Sequence, residues 1–207
     1  MRVLFIGNLK QISMKLLSRF EEDCKCVIYD EREEHNLKGN NIINYLKEDA
    51  DEEELAKVFA TFDFDTVIFF SGALDGAIKV FDELEKLEAA IHESRKHKVK
   101  QFIYITTNDL YTEGRNPMLG KSRETLLKTC DHLCELYAEE KHMKFMLLKV
   151  PYLYSMENKD NQLMKWINTA NRGKQVKIRG SKYVETDFLC EEDLGELLAR
   201  ILDEPLD

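Results

Sequence analysis

The stretch RVLFIGNLKQIS (residues 2–13) joins a short apolar run to an amphipathic segment, and this junction decides the fold. Residues 2–7 predict a buried strand, and the apolar residues after them recur at helical spacing. These are Ile12, Leu16, Leu17 and Phe20. A strand, a turn and a helix in this order are the setting of a glycine-rich dinucleotide-binding loop.

The glycines of such a loop have separate tasks, and this stretch keeps only part of the set. Gly7 can make the tight turn, with Asn8 beside it. Lys10 stands where backbone should approach phosphate, so its side chain either blocks the ligand or binds it. Ser13 is small enough for close packing of the helix on the strand. Gly7, Asn8 and Lys10 are therefore the candidate phosphate-binding residues.

The alternation of strand and helix continues along the chain and indicates an α/β protein with a parallel sheet. Residues 65–71 are apolar on both faces, which is typical of the interior of such a sheet. We expect one doubly wound domain over residues 1–207, with a reduced C-terminal lobe over 152–207. Strands are predicted at 2–7, 25–30, 41–46, 65–71, 101–107, 144–150 and 175–178, and helices at 51–59, 76–97, 120–141, 160–172 and 191–203.

Composition excludes several classes of protein. The chain has 207 residues, 43% of them hydrophobic, and a net charge of −9. An acidic chain lacks the basic footprint of a nucleic-acid or membrane-surface binder. No apolar run reaches the length of a signal segment or a membrane span, so we expect a cytoplasmic location.

The five cysteines predict reduced thiols and no metal site. Cys130 and Cys134 lie one helical turn apart, with His132 on another face between them. Tetrahedral zinc needs four converging ligands, and no second pair at ligand spacing accompanies these two.

Two further patterns bear on a nucleotide. Asp30 ends the second predicted strand, where an acid can hold a ribose 2′-hydroxyl and favours NAD over NADP. The segment GRNPMLGKS (114–122) looks like a Walker loop, but five residues separate Gly114 from Gly120 where four are required, so it is rejected.

Longer segments carry a resemblance to one family. FIYITTNDLY (102–111) and NPMLGKSRETLLK (116–128) resemble the central region of the extended short-chain dehydrogenases/reductases, the NAD-dependent epimerases and dehydratases. VIFFSGA (67–73) before this region, and LLKVPYLYS (147–155) and GSKYVETDFLCEEDLGELLARIL (180–202) after it, are similar to other family segments in the right order. The resemblance implies a Rossmann-like fold over nearly the whole chain, with Ser71 and Gly72 beside the cofactor.

The resemblance also shows where this chain departs from the family. Thr107 matches the residue that polarises the substrate, but the proton-transferring tyrosine and its lysine partner are replaced by Leu119 and Arg123. Leucine cannot transfer a proton, so the family mechanism is predicted to be absent. Tyr111 and Tyr183 are the other phenols that could reach the site. Asp49 matches an acid that contacts adenine, and Asp30 matches the ribose acid.

Three functions stay open from the sequence. The first is a catalytically degenerate member that binds a nucleotide as a sensor or serves as an interaction module. The second is an active NAD-dependent nucleotide-sugar epimerase, dehydratase or reductase in which another group replaces the tyrosine. The third is a scaffold without nucleotide. The resemblance further implies a homodimer through helices 76–97 and 120–141, although their apolar stripes would equally fit packing on the chain's own sheet.

Overall fold

The computed structural model describes most of the chain. The described residues are 1–7, 9, 14–20, 24–30, 39–46, 52–71, 80–107, 117–138, 143–156, 162–177 and 187–203. The strands are β1 (Arg2–Gly7), β2 (Lys25–Asp30), β3 (Ile42–Leu46), β4 (Thr66–Phe70), β5 (Gln101–Thr107), β6 (Lys144–Val150), β7 (Tyr152–Tyr154) and β8 (Phe188–Cys190). The helices are α1 (Met14–Ser18), α2 (Glu52–Thr61), α3 (Val80–Lys96), α4 (Pro117–Ala138), α5 (Gln162–Asn171) and α6 (Glu191–Asp203).

Six of the strands form one parallel sheet in the order β3-β2-β1-β4-β5-β6. The order reverses direction at β1, because the chain first builds outward to β3 and then crosses to β4 on the other side. This confirms the predicted doubly wound α/β fold. The two short strands β7 and β8 pair in parallel as a separate ribbon.

Both faces of the sheet are covered, as a parallel sheet requires. All five residues of β4 are buried, which confirms the prediction from its continuous apolar run. One core lies between the sheet and helices α1 and α6, and the other lies between the sheet and helices α2, α3 and α4.

Helix α6 packs directly on α1. A Cβ on Gly195 would lie 3.1 Å from the carbonyl oxygen of Leu16, so the absence of a side chain lets the two backbones approach. Lys15 Nζ also contacts Glu192 Oε1 at 2.8 Å across the same pair of helices. Helix α6 contributes three buried side chains to the first core: Leu194, Leu198 and Ile201.

One predicted strand is wrong. A strand is expected at 175–178, but residues 174–177 contain no strand, and residue 178 lies outside the described residues. An extended segment becomes a strand only when a neighbour supplies hydrogen bonds, and β7 takes its bonds from residues 188–190 instead. The sequence analysis missed both β7 and β8 because each is only three residues long.

The apolar stripes of the two long helices face the chain's own sheet. Leu87, Ala90 and Ile91 of α3 and Cys130 and Cys134 of α4 belong to the second core. Packing inside the chain accounts for the burial of these residues without a dimer. The homodimer through these helices stays a prediction.

Candidate functional site

The change of direction in the strand order places a crevice at the carboxyl ends of β1 and β4. Ligands of open α/β sheets bind at such a switch point, because the loops that follow the two strands diverge there. Gly7 ends β1 and is in register with Phe70, which ends β4. The carboxyl end of β5 lies on the other side of β4.

Gly7 is required at this position by two constraints. Its φ angle is +94°, in the region that residues with a side chain rarely adopt. A Cβ on Gly7 would also lie 2.2 Å from the carbonyl oxygen of Phe70, well inside van der Waals contact. Glycine is therefore needed here both for the positive φ and for β1 to approach β4, and the role of Gly7 in a phosphate-binding turn stays a prediction.

Ser71 follows β4 directly at the carboxyl edge of the sheet. It is fully buried, and its backbone N–H donates to the carbonyl oxygen of Ile105 at 2.9 Å. The phenol of Tyr104 lies beside Ser71 within the second core, and burial raises the pKa of this phenol well above its usual value. Ser71 thus joins the ends of β4 and β5, and its role toward a cofactor stays a prediction.

The two positions that replace the proton-transfer pair lie together on α4. This helix begins at Pro117, earlier than predicted, so Leu119 and Arg123 fall in its first two turns. They are four residues apart, and such positions are neighbours on one helix face. Thr107 is the last residue of β5 and is in register with Val150 of β6. For Thr107, Leu119 and Arg123 the structure describes the backbone position only.

Asp30 is the last residue of β2, next to β1 at the carboxyl edge of the sheet. This is the strand end at which an acid can reach the ribose of a bound adenosine. The structure gives its backbone position without its side chain. Further candidate residues from the sequence lie outside the described residues: Asn8, Lys10, Ser13, Asp49, Gly72, Tyr111 and Tyr183.

Tyr154 is a phenol that the sequence analysis did not consider, because it lies on the missed strand β7. The alternating YLY of residues 152–154 was the available signal. The neighbouring Cys190 thiol and burial raise the pKa of Tyr154. A proton-transferring phenol of this family needs its pKa lowered, so the environments of Tyr154 and Tyr104 both work against that role.

The cysteines are free thiols. Burial raises the pKa of Cys130 to about 12, with the charge of Glu83 acting in the same direction, and burial likewise raises the pKa of Cys134. Within the described ranges, no three His, Cys, Asp or Glu side chains converge as metal ligands. No helix in the described part of the chain has the length and hydrophobicity to span a membrane.

The residues present fit one half of a dinucleotide better than the other. Gly7 makes the turn that a phosphate-binding loop needs, and Asp30 stands at the strand end that meets the adenosine ribose. On α4, the two positions at which the resemblance expects a tyrosine and a lysine are Leu119 and Arg123. The backbone at Gly7 and the position of Asp30 therefore fit an adenine nucleotide, and the loss of the family's proton transfer stays a prediction.

Solved structures with the same fold include several sugar-nucleotide enzymes. The UDP-glucose 4-epimerase of Thermotoga maritima, solved with UDP-glucose, is 16% identical with a TM-score of 0.75, covering 96% of this chain and 73% of that chain. The dTDP-glucose 4,6-dehydratase of Bacillus anthracis, solved with NAD, is 13% identical with a TM-score of 0.73, covering 99% and 72%. The UDP-glucose 4-epimerase of Thermus thermophilus, also solved with NAD, is 15% identical with a TM-score of 0.69, covering 99% and 75%. Identities this low show a shared fold alone.

A search of curated protein sequences finds no significant match to this chain. The family model is more specific, since it matches residues 17–207, nearly the whole chain. The match includes α4, β7, β8 and α6 as well as most of the main sheet. The chain belongs to the NAD dependent epimerase/dehydratase family.

Proposed function

We propose that this chain binds an adenine nucleotide, with NAD preferred over NADP, and that it is a sensor or interaction module without the family's catalysis. The observation that carries the proposal is the position of Leu119 and Arg123. They lie one turn apart at the start of α4, where the family resemblance expects the tyrosine and the lysine. An aliphatic side chain has no proton to exchange, whatever its surroundings.

The nucleotide half of the proposal is supported at the switch point. Gly7 keeps the conformation that a phosphate-binding turn uses, although its contact with Phe70 would also require glycine. Asp30 at the end of β2 is an acceptor for ribose hydroxyls and would repel a 2′-phosphate. Both features are independent of the α4 substitutions, so binding can persist where chemistry is lost.

Calorimetric titration with NAD, NADH, NADP and ADP tests the binding. We expect NAD or NADH to bind with micromolar affinity, about −8 kcal/mol. A Lys10→Gly variant restores the second loop glycine and is titrated in parallel. If only that variant binds, or if neither protein does, the loop no longer holds phosphate and the nucleotide part of the proposal is wrong.

Turnover assays test the absence of catalysis. The wild type is incubated with NAD and UDP-glucose or dTDP-glucose, and products are separated by chromatography. We expect no turnover. A matched Thr107→Ala variant gives the background, because it removes the hydroxyl that the family uses to polarise substrate. Turnover by the wild type that Thr107→Ala abolishes would support the alternative, an active enzyme with another acid/base.

A further inference from the structure

A polar row of side chains crosses the carboxyl ends of β4, β5 and β6, and it consists of Ser71, Thr106 and Lys149. Thr106 is in register with Lys149, and the backbone N–H of Ser71 donates to the carbonyl oxygen of Ile105, the residue before Thr106. Side chains two residues apart on a strand share a face, so the polar row directly follows a row of the second core. The members of that preceding row are large and mostly apolar: Phe69, Tyr104 and Leu147. The face of the sheet toward α3 and α4 therefore changes from apolar to polar at its carboxyl end.

Two helices place further polar groups against the polar row. Asp131 of α4 is 8% exposed, and its Oδ2 atom contacts Lys149 Nζ at 2.5 Å. The preceding residue, Cys130, lies beside the Tyr104 phenol. The pKa of that phenol is raised by burial and then by the charge of Glu83, a buried residue of α3. The sheet and the two helices thus bring carboxylates, hydroxyls and a thiol together in the interior.

Three side-chain oxygens of this region are buried without a hydrogen-bond partner in the described part of the protein. They are the Tyr104 phenol oxygen, Thr106 Oγ1 and Asp131 Oδ1. Buried polar atoms of folded proteins nearly always bond either to a protein group or to an ordered water molecule. An atom that bonds to neither lowers the stability of the fold. Because the three oxygens lie in one region, a shared partner can satisfy all of them.

We propose that a small cluster of ordered water molecules binds between the polar row and α4. A water molecule can donate to Asp131 Oδ1, and it can both donate to and accept from the hydroxyls of Thr106 and Tyr104. Buried water molecules typically make about three hydrogen bonds to such groups. Ser71 and Thr106 are much smaller than Phe69 and Tyr104 in the preceding row, so the sheet leaves more room for water here.

The same groups do not suit a metal ion. The Asp131 carboxylate is already neutralised by the Lys149 ammonium group. Within the described stretches of the chain, no three His, Cys, Asp or Glu side chains converge as ligands. Water is uncharged and therefore leaves the ion pair of Asp131 with Lys149 balanced.

This water cluster goes beyond the proposed function, because it lies in the interior between the sheet and α4 and needs no nucleotide at the switch point. The residues that carry its three protein oxygens are each at most 8% exposed, and the chain's own sheet and helices bury them. The cluster therefore does not depend on what covers the outer surface of the protein.

Magnetic relaxation of water oxygen-17 detects water molecules that stay inside a folded protein, and it tests the proposal. We expect the wild type to hold such long-lived water. Thr106→Val keeps the shape of the side chain and removes its hydroxyl, so this variant should hold less. Ser94→Ala is the matched control, because the Ser94 hydroxyl is also buried but donates to the carbonyl oxygen of Ala90 at 2.6 Å. We expect Ser94→Ala to hold as much long-lived water as the wild type.

Urea unfolding of Thr106→Val gives a second readout, whose sign separates the two cases. If water pairs with the Thr106 hydroxyl, the variant loses a hydrogen bond, and its equilibrium constant for unfolding should rise about fivefold. An unpaired hydroxyl would destabilise the wild type, so its removal would lower that constant.

A crystal structure of the wild type keeps the test decisive should Thr106→Val fail to fold. We expect a water molecule within about 3.2 Å of Thr106 Oγ1, bonded also to the Tyr104 phenol or to Asp131 Oδ1. Long-lived water unchanged in Thr106→Val or reduced in Ser94→Ala, or a lower unfolding constant for Thr106→Val, would overturn the proposal. A crystal structure in which protein groups alone pair with the three oxygens would do the same.

Discussion

Gly7 has the most constrained backbone position in the described part of the sheet. Its positive φ and its closeness to Phe70 act independently, since one concerns the residue's own backbone and the other concerns the neighbouring strand. The sequence predicted the turn from the order of strand and helix. It could not reveal the contact with Phe70, because that contact depends on the pairing of β1 with β4.

Gly7→Ala should destabilise the protein by about 3 kcal/mol or more, since a positive φ costs roughly 1–2 kcal/mol for alanine and the Cβ also meets a carbonyl oxygen. Gly173→Ala is the matched control. Gly173 has a φ of +67°, but a Cβ there would meet nothing within 4 Å. Gly173→Ala should therefore lower the free energy of unfolding by about 1 kcal/mol. Urea unfolding measures the destabilisation by each variant. Equal values for Gly7→Ala and Gly173→Ala would show that the contact with Phe70 is unimportant.

The departure from the family could be identified from single residues in the sequence. The resemblance places Leu119 and Arg123 at the positions of the family's tyrosine and lysine, so the loss of the family mechanism is a prediction that needs no structure. Replacement by another phenol could not be judged that way. The environments of Tyr104 and Tyr154, which raise their pKa values, became known only from packing.

At the scale of elements, Asp65 connects the amino ends of three strands. Its backbone N–H donates to the carbonyl oxygen of Arg2, the first residue of β1, and its own carbonyl oxygen accepts from the N–H groups of Lys100 and Gln101 at the start of β5. Its carboxylate accepts from the Arg2 N–H at 3.0 Å and from Lys100 Nζ at 2.6 Å. The contact with Lys100, and then the Arg2 N–H, lowers the pKa of Asp65 below its usual value.

Asp65→Asn should therefore cost stability in a pH-dependent way. A carboxyl whose pKa is lowered by folding contributes stability that is present above its unfolded pKa and is lost as pH falls through its folded pKa. We expect Asp65→Asn to lower the free energy of unfolding at pH 7 by only about 1 kcal/mol. The effect is small because Lys100 is largely exposed and solvent screens its interaction with Asp65.

Urea unfolding at pH 7 and near pH 2 checks the sign. The difference in the free energy of unfolding between wild type and Asp65→Asn should shrink as the pH falls, because the wild-type carboxyl loses its charge in acid. Glu85→Gln, at an exposed position on α3, controls for the loss of a charge and should change stability by less than about 0.5 kcal/mol. A difference that grew in acid would contradict the assigned role of Asp65.

The predicted elements agree with the structure where the pattern is long, and they fail where it is short. Strands β1, β2, β5 and β6 and helix α6 have the predicted bounds, because buried apolar runs and a capped amphipathic helix are strong local signals. The ribbon of β7 and β8 depends on pairing across more than thirty residues, which no local pattern encodes. The wrong strand at 175–178 has a suitable alternation but no partner.

At the scale of the whole molecule, one sheet is shared by both cores, so the domain should unfold as a single unit. A ligand at the switch point would contact loops from both halves of the sheet. A ligand that binds only the folded chain raises its free energy of unfolding by an amount set by concentration and affinity. Unfolding therefore reports nucleotide selectivity without any assay of turnover.

Selectivity for NAD should depend on Asp30 and appear as a difference in stability. At 100 times its dissociation constant, NAD should raise the free energy of unfolding by about 2.7 kcal/mol. At the same concentration NADP should give at least about 1.4 kcal/mol less, since a tenfold weaker affinity corresponds to that amount. The physical reason is repulsion between the 2′-phosphate and the Asp30 carboxylate.

Asp30→Asn tests this cause, because it keeps the size of the side chain and removes its charge. Urea unfolding followed by the fluorescence of Trp166, the single tryptophan, should then show NAD and NADP stabilising the variant about equally. A wild type stabilised as much by NADP as by NAD would show that Asp30 does not face the ribose. A variant that still prefers NAD would place the source of selectivity in another residue, and the adenosine site would have to be reassigned from the end of β2 to the loops that follow β1 and β4.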